Sequence, residues 1–242
     1  MIFRRLIYLS ILVFVGLTAC TSTQVSQTMD TLGGLLGNDE LTSDQVASGL
    51  KEALIAGISE GSSKASKLNG YFNNPTIKLS FPPDVLKVET KLRQIGLGSE
   101  VDKFVVTLNR GAEEAAKEAK PIFIAAIRGM TIQDAWSILK GEDNAATEYL
   151  RRTTSQQLQM KFQPVIKRAL DKTSATKYYK DIVTTYNKIP LVDDVNDDLE
   201  GYATNKAIEG LFTLIAEEER KIRVDPLART TDLLKRVFAE QD

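Results

Sequence analysis

Apolar residues recur at three- and four-residue intervals along most of the chain beyond residue 41. The clearest run is Val46, Leu50, Leu54 and Ile58. Side chains spaced in this way share one face of an α-helix. The run follows TSDQ at residues 42–45, which fits a capping box, and it is followed by NG at residues 69–70, which is typical of a helix end. We therefore predict a helix from residue 42 to about Leu68.

The same spacing predicts helices through the rest of the chain, separated by Gly, Pro and polar residues. Pro121 is expected to break or kink one helix and Pro164 to kink another. Residues 77–81 are predicted to be a short extended segment and residues 189–198 a linker. The pattern predicts an all-α fold in which residues 42–242 form a single multi-helix domain. The further predicted helices span residues 83–95, 99–120, 122–127, 132–139, 144–152, 153–172, 174–187, 199–223 and 230–238.

The first residues of the chain follow a different pattern. Arg4 and Arg5 precede a nearly unbroken apolar run from Leu6 to Leu17. A signal peptide carries a run of about 7–15 apolar residues, which is too short to span a bilayer. LTAC at residues 17–20 resembles the bacterial lipobox, in which a branched apolar residue and two small residues precede a cysteine. In such signals the cysteine receives a diacylglyceryl thioether, the chain is cleaved before it, and its new amino group is acylated.

These features predict a lipoprotein signal peptide over residues 1–19, with lipidation of Cys20. Residues 20–41 are rich in Ser, Thr and Gly, so we expect a lipidated terminus and a flexible tether. Thr21 is not the Asp that usually retains such lipoproteins in the inner membrane. The resemblance therefore implies the periplasmic face of the outer membrane of a Gram-negative bacterium. The alternatives are an ordinary cleaved signal with an incidental cysteine, and a core cysteine of a cytosolic protein.

The amino-acid composition excludes several types of catalytic and metal site. The chain has no histidine and one cysteine, so Ser-His-Asp triads, Cys-His pairs, H-E-x-x-H sites and Cys-based metal clusters are ruled out. The chain has 31 Lys and Arg residues and 32 Asp and Glu residues. This balance indicates no basic face, so we do not infer nucleic acid as a partner. We assign no catalytic residue, metal or cofactor.

Two short motifs match those of nucleophilic enzymes. GISEG at residues 57–61 fits the G-x-S-x-G nucleophile elbow, but Ser59 lies inside the first predicted helix rather than after a strand. We interpret it as small residues at a helix–helix contact. SATK at residues 174–177 fits the S-x-x-K motif of serine–lysine acylases, but no K-T-G motif accompanies it and Ser174 suits a helix N-cap.

Two polar segments are candidate binding sites. The acidic residues 193–200 suggest calcium, but an EF-hand starting at Asp194 fails at the required Gly and Glu positions, so an acidic loop is favoured. YFNNP at residues 71–75 is either a recognition tip or a locally packed turn, and packing is favoured.

The most informative polar cluster is EEE at residues 217–219. Extending the apolar face of its helix places Glu218 or Glu219 toward the interior, less exposed than Glu217, where a carboxylate must be paired or protonated. We predict a structural ion pair between helix ends, or less favourably a ligand site. The candidate partners are Arg223, Arg229 and Arg152.

Several segments together resemble the bacterial domain of unknown function family 4197, over about residues 42–240. The resemblance implies an all-helical periplasmic domain and brings no established activity, so it assigns no site residue. The matching segments are GLKEAL (49–54), NPTIKL (74–79), KPIF (120–123), MTIQDA (130–135), TEYLRRT (147–153), IAEEE (215–219) and ARTTDLLKRVF (228–238).

We therefore expect an uncharacterised lipoprotein, attached to the membrane through Cys20, that acts by binding or as a structural module of the cell envelope. One alternative is a carboxylate-dependent envelope hydrolase, and another is a lipid carrier with a groove between helices. A pocket larger than about 300 Å³ lined by apolar faces would favour the carrier, and a filled core the binding module.

Overall fold

The computed structural model describes residues 41–188, 195, 198–229 and 232–239. The predicted signal peptide and Cys20 lie outside these residues, as does all of the predicted tether except Leu41. Within them the fold is all-α without β-strands, as predicted. The helices are α1 Ser43–Ser66, α2 Leu86–Gln94, α3 Gly98–Ala116, α4 Ala119–Arg128, α5 Ile132–Leu139, α6 Ala145–Leu170, α7 Ser174–Tyr186, α8 Leu199–Val224 and α9 Asp232–Ala239; short 3₁₀ turns Pro83–Val85 and Pro226–Ala228 precede α2 and α9.

Both ends of α1 agree with the sequence pattern. Thr42 and Gln45 form the predicted capping box, in which the Gln45 amide donates to the Thr42 hydroxyl at 3.2 Å and the Thr42 amide donates to the Gln45 side chain at 2.8 Å. After α1, Asn69 has a positive φ of 67°. A Cβ on Gly70 would lie 2.2 Å from the carbonyl oxygen of Lys64, so only glycine fits there.

Four helices, α1, α3, α6 and α8, supply much of the core. Helix α8 runs antiparallel to α6, because Gln163 donates to Glu200 near one end of the pair and Thr147 donates to Glu219 near the other. Between them Phe123 of α4 packs edge-on against Phe212 of α8, with ring centroids 5.7 Å apart. Both rings are fully buried.

The GISEG segment lies inside α1, as predicted, and forms a helix–helix contact. A Cβ on Gly57 would lie 3.2 Å from the Ile222 side chain, and one on Gly61 would lie 3.5 Å from the Ile215 side chain. The small residues therefore let α8 approach α1 closely. Ser59 belongs to a helix with further turns on both sides, which is not the strand-to-helix turn of a nucleophile elbow.

The prediction that helices 144–152 and 153–172 are separate is wrong. Helix α6 is continuous from Ala145 to Leu170. The Thr153 hydroxyl donates to the carbonyl of Tyr149 at 2.9 Å, and the Thr154 hydroxyl donates to that of Leu150 at 2.6 Å. These hydroxyls donate to carbonyls of the preceding turn instead of capping a new helix. Threonine can do either, so the residue type alone does not predict which occurs.

Three further differences concern residues 77–121. The predicted break near Pro121 falls earlier, between α3 and α4, and Pro121 lies in the first turn of α4, where a missing amide donor is tolerated. Leu86 at the start of α2 and Ile95 directly after its end belong to the predicted amphipathic helix 83–95, yet they are 50% and 59% exposed. The predicted extended segment 77–81 forms no strand and is instead held by a side chain of α3, as described below.

Within the described residues, no single helix is both long and apolar enough to cross a bilayer. The stretch Gly98–Arg128 and helix α5 together reach that length and composition, but they meet at a bend of 107°.

Candidate functional site

The three consecutive carboxylates of α8 lie in different environments. Glu218 and Glu219 are 8% and 6% exposed, whereas Glu217 is exposed. The helical geometry that carries Ile215 into the core also turns Glu218 and Glu219 inward, about one turn further along α8. The sequence pattern predicted that Glu218 or Glu219 would be less exposed than Glu217, and both are. The burial of two adjacent carboxylates requires partners for both.

Glu219 caps helix α6 from outside that helix. Its carboxylate accepts the amides of Ala146 at 2.9 Å and Thr147 at 2.8 Å, and the Thr147 hydroxyl at 2.7 Å. These amides belong to the first turn of α6, where an N-cap side chain normally accepts a hydrogen bond. The side chain of Asn144, the residue at the N-cap position, makes no such bond. Glu219 therefore takes over the capping role, and its negative charge lies at the positive end of the helix dipole.

Arg223 completes this cluster. Its guanidinium donates to Glu219 at 2.9 and 3.1 Å and to the carbonyl of Ile138, in the last turn of α5, at 2.9 Å. Glu219 and Arg223 thus join the end of α5, the start of α6 and the last part of α8. The cavity beside them has a volume of only about 10 Å³, so the cluster is closed to a ligand.

The other two candidate arginines occupy separate positions. Arg229 is 4% exposed and donates to the carbonyls of Ile222 at 3.2 Å and Arg223 at 2.9 Å, at the end of α8. Its guanidinium also lies over the ring of Phe238 in α9. Arg152 lies over the ring of Tyr149. The described contacts therefore bring Arg223 to Glu219, while Arg229 holds the junction of α8 and α9.

Glu218 forms a second ion-pair cluster, between α8 and α1. Its carboxylate accepts Lys64 at 2.6 Å and Lys221 at 2.8 Å. Burial favours the protonated acid, but the hydrogen bonds from the two lysines outweigh it and hold the pKa of Glu218 below its ordinary value. The hydrogen bond to Glu218 also raises the pKa of Lys64. Glu218 is therefore ionised at neutral pH and ties α1 to α8.

The sequence analysis missed two buried polar residues on α3. Glu113, 3% exposed, accepts the amides of Tyr71 and Phe72 at 3.2 and 3.3 Å and also pairs with Arg110. Asn109 is fully buried and bonds to both the amide and the carbonyl of Leu79, at 2.9 and 2.8 Å. Both lie on the same face as the apolar residues of α3, and polar positions on an otherwise apolar face were the available signal.

These two side chains fix the loop between α1 and α2. Tyr71 is fully buried, and its hydroxyl donates to the carbonyl of Ala207 at 2.6 Å. Burial, together with the nearby Glu113, raises the pKa of Tyr71. The segment at residues 71–75 is therefore anchored by packing, which was favoured from sequence, but the anchoring contacts are with α3 and α8 rather than local.

The clefts formed by described residues include three of ligand size, with volumes of about 370, 490 and 430 Å³. The first lies between α6 and α8, the second between α3 and α6, and the third where α6, α7 and the start of α8 meet. Each is lined by charged side chains rather than by continuous apolar faces. Among the described residues, no cluster of acidic, cysteine or histidine side chains is arranged to hold a metal ion.

Comparison with known proteins places the chain in a family. No curated protein and no solved structure matches it significantly. A family model matches residues 40–239, which include all the helices described above. The chain therefore belongs to the family described as protein of unknown function (DUF4197).

Proposed function

We propose that this protein is a lipid-anchored lipoprotein at the periplasmic face of the outer membrane, whose helical domain acts by binding a partner in the cell envelope. The anchor rests on one observation, the sequence of residues 1–20: two arginines, an apolar run and LTAC ending in Cys20. Acyl chains contribute about 0.8 kcal/mol per buried CH₂, so several chains hold a protein on a bilayer without a transmembrane helix.

The packing of the domain supports binding at the surface over carriage of a lipid inside. A lipid carrier needs an apolar cavity that encloses acyl chains. In the described part of the chain the space beside Glu219 is about 10 Å³, and the larger clefts are open and lined by charges. The filled interior favours an interaction module.

The buried carboxylates also support a role without catalysis. A general acid or base must reach a proton on the substrate. Glu113, Glu218 and Glu219 each accept hydrogen bonds that hold helices or a loop together. These contacts give each buried carboxylate of α3 and α8 a structural role.

Metabolic labelling with an alkyne-bearing palmitate tests the anchor. We expect label on the wild-type protein and none on Cys20→Ser, because Cys20 is the one cysteine in the chain. Thr23→Ser, a conservative change in the predicted tether, is the control and should label like wild type. Equal labelling of wild type and Cys20→Ser would overturn the proposal.

A further inference from the structure

The cleft between α3 and α6 differs from the other two clefts in charge. It has a volume of about 490 Å³ and is lined by three cationic residues and one acidic residue, Arg110, Arg168, Lys172 and Glu114. The α6–α8 cleft carries two of each sign, Arg151, Arg220, Glu148 and Glu217. The third cleft has an acidic excess, with Lys167 and Lys180 against Asp171, Asp198 and Glu200. Of these three clefts, the one between α3 and α6 therefore has the largest excess of positive charge.

Two of these cations have no ion-pair partner among the residues that the structure describes. Arg168 lies in the last turn of α6 and Lys172 two residues beyond its end, and both are exposed. In the described part of the chain neither has an ion-pair or hydrogen-bond partner for its side chain. By contrast, Glu114 across the cleft is already paired with Lys117. An anion entering the cleft would therefore meet two available positive charges.

The α3 side of the cleft is rigid. Arg110 is held in place by Glu113 and by Asn69, whose side-chain oxygen accepts its guanidinium at 2.6 Å. One turn earlier, the hydroxyl of Thr107 lines the cleft and has no hydrogen-bond partner among the described residues. Gly111 forms the floor, where a Cβ would lie 2.6 Å from that of Ala169. The cleft therefore combines a fixed wall with a free hydroxyl and two free cations.

We propose that this cleft binds the phosphate group of an anionic ligand. The guanidinium group of arginine, the ammonium group of lysine and the hydroxyl group of threonine all donate hydrogen bonds to phosphate oxygens. The phosphate belongs either to a soluble phosphomonoester or to a lipid headgroup. This proposal rests on the domain acting by binding, as proposed above, but it does not require the lipid anchor.

A different explanation accounts for the same residues without a ligand. Cations near the C-terminal end of a helix favour its dipole, and Arg168 and Lys172 stand at the end of α6. That explanation predicts a change in stability when the two charges are removed, with no binding of phosphate. Binding measurements separate the two explanations.

The test is a titration of the ¹⁵N-labelled full chain, in detergent and at low salt, followed by NMR of the backbone amides. With inorganic phosphate, we expect saturable shifts at Thr107, Gly111 and Arg168. Arg168→Gln combined with Lys172→Gln should weaken binding about tenfold or more, because two charge-assisted hydrogen bonds are lost. The matched control is Lys87→Gln with Lys91→Gln, which removes two exposed lysines of α2 at the same spacing and should leave binding unchanged.

Two further probes identify the source of the phosphate. Tighter binding of glycerol 3-phosphate than of a short-chain phosphatidylglycerol indicates a soluble phosphomonoester, and the reverse order indicates a lipid headgroup. Absence of saturable shifts with all three probes, or equal weakening by the α2 control, would overturn the proposal. Circular dichroism shows whether each variant is folded, and Arg168→Lys with Lys172→Arg retains both charges and should retain binding. Failure here leaves the palmitate result unaffected, so the two proposals are tested separately.

Discussion

At the scale of single residues, adjacent glutamates of one helix have different structural roles. Glu217 is exposed, Glu218 joins α8 to α1, and Glu219 caps α6 while paired with Arg223. Substitution of each by glutamine keeps the size of the side chain and removes its charge. Comparing the three variants therefore measures how much each carboxylate contributes to the free energy of unfolding.

Glu219→Gln should lower the free energy of unfolding by about 2–4 kcal/mol, because it leaves Arg223 with a buried, uncompensated charge and replaces one carboxylate acceptor by an amide donor. Urea denaturation provides the measurement. The control is Glu217→Gln, on the exposed side of the same helix, for which a change within about 0.5 kcal/mol is expected. Similar losses for the two variants would contradict the capping role of Glu219.

Glu218 should make stability depend on pH. Its pKa in the folded protein lies below the ordinary value of 4.5, so the unfolded chain binds the proton more readily. The stabilisation is therefore fully present above that value and is lost as the pH falls through the lower pKa of the folded state. Urea denaturation of wild type and Glu218→Gln from pH 7 to pH 3 should show a smaller acid-dependent decline in the variant. Parallel curves would show that the ion pair with Lys64 and Lys221 does not contribute.

At the scale of helices, the packing depends on small residues where two helices meet closely. Gly111 of α3 faces Ala169 of α6, with no space for a methyl group between them. Gly111→Ala should destabilise the protein by about 1–3 kcal/mol, because the added methyl forces the helices apart. Gly98→Ala, at the start of the same helix, places a Cβ 3.9 Å from the Arg93 side chain and should be neutral or slightly stabilising. Thermal denaturation compares the two variants, and equal midpoints would contradict the close packing.

The helix pattern predicted most elements but not all of their boundaries. The capping box predicted at Thr42 is formed, since it depends on two residues three positions apart in the chain. The false break at Thr153 arose because threonine can either cap a helix or bond backward within it. Tertiary packing decides whether the threonine caps a helix or bonds backward within one, and the helical spacing of residues does not reveal that packing.

At the candidate site, too, local features were predictable from the sequence and long-range contacts were not. Helical spacing within α8 was enough to predict that Glu218 or Glu219 is buried, and that Arg223, four residues beyond Glu219, is a candidate partner. The distant partners were not predictable, because Thr147 is 72 residues away from Glu219 along the chain and Lys64 is 154 residues away from Glu218. Asn109 and Glu113 are single polar positions on an apolar face, and the spacing of apolar residues does not show that they are buried. Local periodicity predicts which face of a helix is buried, but not the distant residues that its side chains contact.

At the scale of the whole molecule, the described residues from 41 to 239 form a helical domain, and the predicted anchor at Cys20 lies 22 positions before the cap of the first helix at Thr42.

The membrane to which the protein is sorted is testable by changing one residue. Thr21→Asp places the usual inner-membrane retention residue directly after Cys20. We expect wild type in the outer-membrane fraction and Thr21→Asp in the inner-membrane fraction after density-gradient separation. Thr21→Ser is the matched control and should distribute like wild type. Identical distributions of all three would contradict sorting to the outer membrane.

The proposed mature protein begins at an acylated cysteine. Mass spectrometry of the N-terminal peptide of the protein, extracted from its native membrane, measures this directly. The account predicts a chain that starts at Cys20 and carries a diacylglyceryl group on sulfur and an acyl group on nitrogen. A soluble chain that still starts at Met1, with an unmodified Cys20, would contradict it.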